Sequence, residues 1–234
     1  MNLRPILACA IVMFFAAEVR VQAAPMAIPG VGGGVITINV TSKKESQFRS
    51  TMRQRYDYSC GSAALATLLS SGYEDAVSEG AVFQKMYEKG NKEKIRRDGF
   101  SLLDMKGYLE SEGYQADGFR ITLDKLAELG VPAITVLDLK GYKHFVVVKG
   151  LTEKEVLVSD PAVGTTVMPR PHFEAMWNGI LFLIRNRKNV AMNYFNLRDD
   201  WQVRTKAPIG NGTAMGIGIT ELGAVTNFLA SPAR

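Results

Sequence analysis

The run Gly61-Ser62-Ala63-Ala64-Leu65-Ala66-Thr67-Leu68-Leu69-Ser70 is the part of this chain with the fewest structural options. Small and aliphatic residues recur on every side of a helix drawn through it, so that helix has almost no polar face to give to water. Only the interior of a domain accepts such an element, with others laid around it. The 234 residues allow one domain with appendages, or two small ones, and either buries a sizeable core. With 47% hydrophobic and 22% charged residues the chain is neither disordered, collagen-like nor a multi-span membrane protein. Its net charge of +5 is spread along the chain, which gives no support to nucleic-acid binding.

Periodicity predicts amphipathic helices over residues 77–88 and 101–112, the second carrying Leu102, Leu103, Met105 and Leu109 and stopped by Gly113. Further on the period changes to two. Strands are predicted over residues 119–123, 133–137, 144–149, 155–159 and 164–168, punctuated by Gly141, Gly150 and Pro161. Helices first and strands later indicate an α+β architecture with an antiparallel sheet. The patterned domain spans residues 47–188. Before it, residues 24–46 form a Gly-rich flexible entry with one edge strand in the β-branched run 35–41. Within that entry Gly32-Gly33-Gly34 reads as a flexible linker, with self-cleavage there as the sharper alternative. After the domain comes an extension, residues 189–234, rich in Gly and small residues from Ala207 onward. The basic run Lys92, Lys94, Arg96 and Arg97 reads as a solvated loop.

Residues 1–23 read as a signal peptide. Arg4 supplies a sparse positive region, and residues 6–17 form an apolar run of twelve, too short to span a bilayer. Val21-Gln22-Ala23 suits a signal peptidase, which predicts export and a mature start near Ala24. A lipoprotein modified at Cys9 and an uncleaved anchor are the alternatives. Export separates the two cysteines of the chain: Cys9 leaves with the signal, and Cys60 stays without a partner where thiols usually pair. An odd thiol in an exported chain indicates intermolecular pairing or retained reactivity; a small buried apolar residue is the competing reading.

In Gln54-Arg55-Tyr56-Asp57-Tyr58-Ser59-Cys60-Gly61 the thiol stands where a loop enters the buried helix, and a helix N-terminus favours the thiolate. Gly61 leaves the backbone beside the sulfur uncrowded. Gln54, six residues upstream, offers an amide donor of the kind that acyl-transfer sites aim at a developing oxyanion. Of only two histidines, His144 begins an apolar strand and Asp160 ends the next one. A hairpin between those strands makes the two residues neighbours. A histidine able to take the thiol proton, oriented by a carboxylate, is the logic of thiol catalysis. The competing readings are a satisfied strand-end histidine, a turn-starting Asp160-Pro161, and a zinc site from Cys60, His144 and Asp160, although paired metal-ligand spacing is missing. His172, at an apparent helix start, reads as a surface residue.

Together these residues resemble the C39 family of papain-like cysteine peptidases, over about residues 47–186. The landmarks are Gln54 six residues before Cys60, Cys60-Gly61 opening an Ala-rich helix, His144 followed by an apolar strand and Gly150, Asp160-Pro161-Ala162-Val163-Gly164, and the later Phe173 and Trp177-Asn178-Gly179. The resemblance implies a papain-like fold, with a helical half carrying the nucleophile and an antiparallel sheet carrying His and Asp. It also implies a cysteine peptidase with Cys60 as nucleophile, His144 as general base and acid, Asp160 as orienting carboxylate and Gln54 as oxyanion donor, and no cofactor or metal. Ser59 departs from the family, which commonly has Asp there. With no transporter spans or nucleotide-binding motif following, the layout is similar to free-standing exported members encoded with functional-amyloid secretion systems. That implies a periplasmic location and secreted polypeptide substrates, such as amyloid subunits or secretion-system components, cut after small residues. A non-catalytic binding module and a thiol amidase or transferase are the alternative functions.

Overall fold

The computed structural model describes residues 25–29, 35–39 and 43–203, so the expected signal peptide, Gly32-Gly33-Gly34 and the tail from residue 204 lie outside the described residues. The chain divides into two units, residues 1–42 and 43–234. In the first, β1 (Pro25–Pro29) and β2 (Val35–Asn39) pair antiparallel, with Pro25 opposite Asn39 and Pro29 opposite Val35. The edge strand expected at residues 35–41 is therefore one arm of a hairpin. Its partner escapes a sequence reading because the prolines at both of its ends argue against a strand.

The second unit runs α1 (Lys43–Gln47), α2 (Cys60–Gly72), α3 (Glu79–Lys89), α4 (Lys92–Asp98), α5 (Leu102–Ser111), β3 (Ala116–Phe119), α6 (Leu123–Leu129), β4 (Ala133–Leu139), β5 (Tyr142–Leu151), β6 (Glu155–Asp160), β7 (Gly164–Pro169), α7 (Arg170–Met176), β8 (Trp177–Ile184), α8 (Lys188–Met192) and a 3-10 turn at Asp200–Val203. As its composition demands, α2 is the inner helix. Ala63, Ala64, Leu65, Ala66, Leu68 and Leu69 are wholly buried, and the helix packs on α3, α5 and β5. Its neighbours are amphipathic and begin on side-chain caps: Ser78 accepts from Ala81 N, and Ser101 forms a capping box with Asp104.

The six-stranded sheet has the order β3-β8-β4-β5-β6-β7, antiparallel throughout. β8, the last strand in sequence, is inserted between β3 and β4. It was not expected, because Trp177-Asn178-Gly179 has turn character and both of its partners lie far back in the chain. The strand expected at 119–123 is displaced to Ala116–Phe119, since Thr122 caps α6 by accepting from Lys125 N. The basic run is not a loop. Asn91 caps it as α4, with Ile95 buried and its charged residues exposed. The extension beyond residue 188 does not trail away at once. Asn196 N donates to Lys149 O at 2.9 Å, and its side chain accepts from Leu151 N and donates to Leu151 O, filling the bulge where β5 slips against β6. Nearby, the buried Lys149 Nζ meets Asp200 at 2.7 Å and donates to Ser50 Oγ at 2.9 Å.

Candidate active site

Cys60 is the first residue of α2, and its side chain is buried. The residue before it explains how the entering loop is shaped. Ser59 is wholly buried, and its hydroxyl does not cap the helix. It turns back instead, accepting from Arg55 N and Tyr56 N at 3.1 Å each and donating to Tyr56 O. A single hydroxyl thus folds the 55–59 loop into a tight turn and leaves the first N–H groups of α2 without a side-chain cap. Gly61 follows because nothing larger fits: a Cβ there would lie 2.8 Å from Met105 Cε and 3.0 Å from Phe100 Cβ.

The sheet supplies the other half. The β5–β6 hairpin brings the start of one strand beside the end of the other, and His144 Nε2 meets Asp160 Oδ1 at 2.8 Å. Asp160 Oδ1 also accepts from Ala162 N at 2.7 Å, so the turn through Pro161 fixes the carboxylate. The ring is 3% exposed, and its Nδ1 is buried with no hydrogen-bond partner. Burial is the largest influence on the ring and disfavours its charged form. The hydrogen bond to Asp160 and the proximity of Cys60, with the charges of both, together outweigh it and push the His144 pKa up from 6.5 to about 9. Asp160 and His144 are thus directly bonded, and the Cys60 thiol lies close enough for its charge to act on the ring.

Gln54 joins this group through its backbone, its N–H donating to Pro161 O at 3.1 Å beside Asp160. Its amide is not free as expected: Nε2 donates one hydrogen to Tyr56 O at 3.2 Å, while Oε1 is buried without a partner. His172 is exposed on α7, away from this chain of contacts. Two features escaped the sequence reading. Buried Glu79 accepts from Ser62 Oγ and pairs with Arg55 Nε at 3.2 Å, bracing the loop from behind α2. Tyr142 stacks on His144 and donates to Asp57 O at 2.7 Å. It stands two residues before His144 on the same face of β5, so the strand period alone could have flagged it.

A thiol at the head of a buried helix, facing a carboxylate-held imidazole on an antiparallel sheet, defines the papain-like class of cysteine peptidase. Known proteins agree. The model of the peptidase C39 family matches residues 49–189. The chain is 41% identical over 168 residues to the "Probable functional amyloid protease FapD" of Pseudomonas aeruginosa, covering 71% of this chain and 74% of the relative. It is 40% identical over 163 residues to the protein of the same description in Pseudomonas fluorescens, covering 70% and 71%. In fold it is similar to the peptidase domain of Streptococcus ComA, a bifunctional ABC transporter involved in quorum sensing, with a TM-score of 0.50 and 21% identity over 58% of this chain and 96% of that one. The chain belongs to the peptidase C39 family and is a cysteine peptidase.

Proposed function

We propose that this peptidase is exported to the periplasm by residues 1–23 and cleaves secreted polypeptides after small residues, with functional-amyloid subunits or components of their secretion system as substrates. The relatives described as functional amyloid proteases support the substrate class. One observation carries the chemistry: a buried imidazole fixed by Asp160 at 2.8 Å, its other nitrogen left without a hydrogen-bond partner, with Cys60, the only cysteine among the described residues, close enough for its charge to act on the ring. In this reading Cys60 gives its proton to His144, and the thiolate attacks the carbonyl carbon of the scissile bond. The oxygen takes up the negative charge, met by the free N–H groups at the head of α2 and by the Gln54 amide. The tetrahedral intermediate collapses as His144 protonates the leaving amine, and Cys60 is left as a thioester. Water then attacks the thioester carbonyl, giving its proton to His144; collapse releases the carboxylic acid and the thiol is restored. Asp160 holds the ring in register for each transfer and favours its charged form.

The test is to incubate the purified chain, and its Cys60→Ala variant, with co-exported candidate proteins and to map new termini by mass spectrometry. Cleavage after small residues by the wild type alone is the expected result. Equal cleavage by Cys60→Ala rejects the chemistry, and cuts confined to positions after bulky residues reject the specificity.

A further inference from the structure

The stretch of chain that leads into the nucleophile loop is stitched to both halves of the fold. Ser50 Oγ accepts from Lys149 Nζ of β5 at 2.9 Å and donates to Asp200 Oδ1, and Met52 N donates to Thr67 Oγ1 of α2 at 2.8 Å. Between them Thr51 meets β6 and β7. Its hydroxyl bonds that of Ser159, and that of Thr165 at 2.8 Å; Ser159 and Thr165 stand opposite each other in the register, with their hydroxyls 3.5 Å apart. All three residues are buried. Three hydroxyls carry three hydrogens, and in a triangle each can donate one and accept one, so every hydrogen finds an acceptor inside the cluster. Packing alone does not call for this arrangement, since valine has the shape of threonine. A satisfied polar cluster in a core specifies one geometry where an apolar contact would tolerate sliding.

The geometry that this cluster fixes is that of the residue before Asp160. Successive side chains of a strand point to opposite faces, so Ser159 is gripped on one face of β6 while Asp160 reaches His144 Nε2 from the other. With Ser159 Oγ held, the peptide that carries Asp160 cannot turn about the strand axis without breaking a buried bond. Three residues after Thr51, Gln54 N closes the turn at Pro161 O, and Ala162 N holds Asp160 Oδ1. We propose that Thr51 is a positioning residue of this active site: by closing the hydroxyl triangle it sets the direction of β6 at Asp160 and, through that carboxylate, the orientation of the His144 ring. Thr51 touches none of the reacting atoms. The segment that carries it runs on into the loop ending at Cys60, so one side chain refers the imidazole and the thiol to the same piece of backbone. The proposal rests on His144 and Asp160 serving Cys60, and it adds what holds them in one frame.

The test uses the full chain with Thr51→Val, which keeps the shape and removes the hydroxyl, and Thr51→Ser, which keeps the hydroxyl. Three quantities are read without any peptide substrate: urea unfolding, the NMR titration of the His144 ring, and the pH profile of Cys60 alkylation by iodoacetamide, followed by mass spectrometry of the Cys60 peptide so that Cys9 does not interfere. Thr51→Val should move the His144 titration down from about 9 toward 6.5 and slow alkylation at neutral pH about tenfold, a misplacement of well under 1 Å; Thr51→Ser should restore both. Thr165→Val leaves the bond between Thr51 and Ser159 in place, and should lose stability with little movement of either. A Thr51→Val protein that loses urea stability while its His144 titration and alkylation profile match the wild type overturns the proposal, since the hydroxyls then only hold the fold together. Should Thr51→Val not fold, Ser159→Ala carries the same expectation and the same refutation. Asp160→Asn separates the two possible failures: a titration unmoved there rejects the reading of the site, whereas movement in Asp160→Asn with none in Thr51→Val refutes the role of Thr51 alone.

Discussion

Replacing Asp160 by Asn removes one charge and little else. The amide keeps the size of the carboxylate, and its oxygen still accepts from Ala162 N, so the turn through Pro161 survives. What changes is the imidazole. The rise of the His144 pKa from 6.5 to about 9 amounts to roughly 3 kcal/mol in favour of the charged ring. Burial works against that rise, so Asp160 and Cys60 together supply more than the net figure. A charge-assisted hydrogen bond is about twice as strong as a neutral one, so Asn forfeits about half of the bond and all of the ionic attraction. We expect a loss of about 1.5–3 kcal/mol, read as a drop in kcat/KM of about tenfold to a little over a hundredfold. The assay is kcat/KM across pH on a mapped peptide substrate, paired with an NMR titration of the His144 ring, for which the chain has only one other histidine, His172. In the wild type activity should fall as pH rises through about 9, and in Asp160→Asn that fall should begin at lower pH. Stability gives an independent reading. A folded pKa above the unfolded one stabilises fully below 6.5, and the benefit fades as pH rises to about 9. The gap between wild type and variant in urea unfolding should therefore be widest at acid-to-neutral pH and shrink through that window. An unmoved His144 titration, with kcat/KM within about threefold of wild type, refutes the reasoning.

Three further substitutions probe other parts of the structure. Gln54→Ala should lower kcat by about 10²–10³ with KM little changed if its amide meets the oxyanion; a change confined to KM would assign it to substrate binding. Gly61→Ala pushes a methyl against Met105 Cε and Phe100 Cβ, and should cost about 1–3 kcal/mol in chemical denaturation while slowing alkylation of Cys60. Asp200→Ala strands the buried Lys149 charge and should destabilise by about 3–5 kcal/mol, whereas a paired Lys149→Met and Asp200→Leu variant should recover most of that loss.

The parts of this fold that were legible in the sequence are those whose physics is local or nearly so. The inner position of α2 follows from its lack of a polar face. The meeting of His144 with Asp160 follows from two adjacent strands joined by a short turn. β8 was not legible, because its place is set by pairing with β3 and β4 rather than by its own pattern. The charged α4 was misread because one buried residue, Ile95, anchors it and an asparagine cap starts it. The strand expected at 119–123 failed at Thr122, where a β-branched residue serves as a helix cap. At the site, the residue types were legible and their orientations were not. Nothing within the chain near Gln54 announces that its amide turns to Tyr56 O, or that Tyr142 reaches across to Asp57.

Those cross-connections matter because the thiol and the imidazole belong to different halves of the fold, and misplacement by about 1 Å is enough to cost orders of magnitude in rate. The halves are joined by hydrogen bonds close to the site. Gln54 N reaches Pro161 O at 3.1 Å, Thr51 bonds the hydroxyls of Ser159 and of Thr165, and Tyr142 reaches Asp57. Thr51 and Ser159 are buried and adjoin Ser50 and Asp160, so the tie ends one residue from the carboxylate that holds His144. From Ser50 the network continues to Lys149 and Asp200, which fastens the segment after α8 onto the same framework. Ser59 fits this design: its buried hydroxyl organises the entering loop directly before Cys60. The framework thus aligns the two halves through hydrogen bonds close to the site, with the Arg55–Glu79 and Lys149–Asp200 ion pairs fastening the loop before Cys60 and the segment after α8.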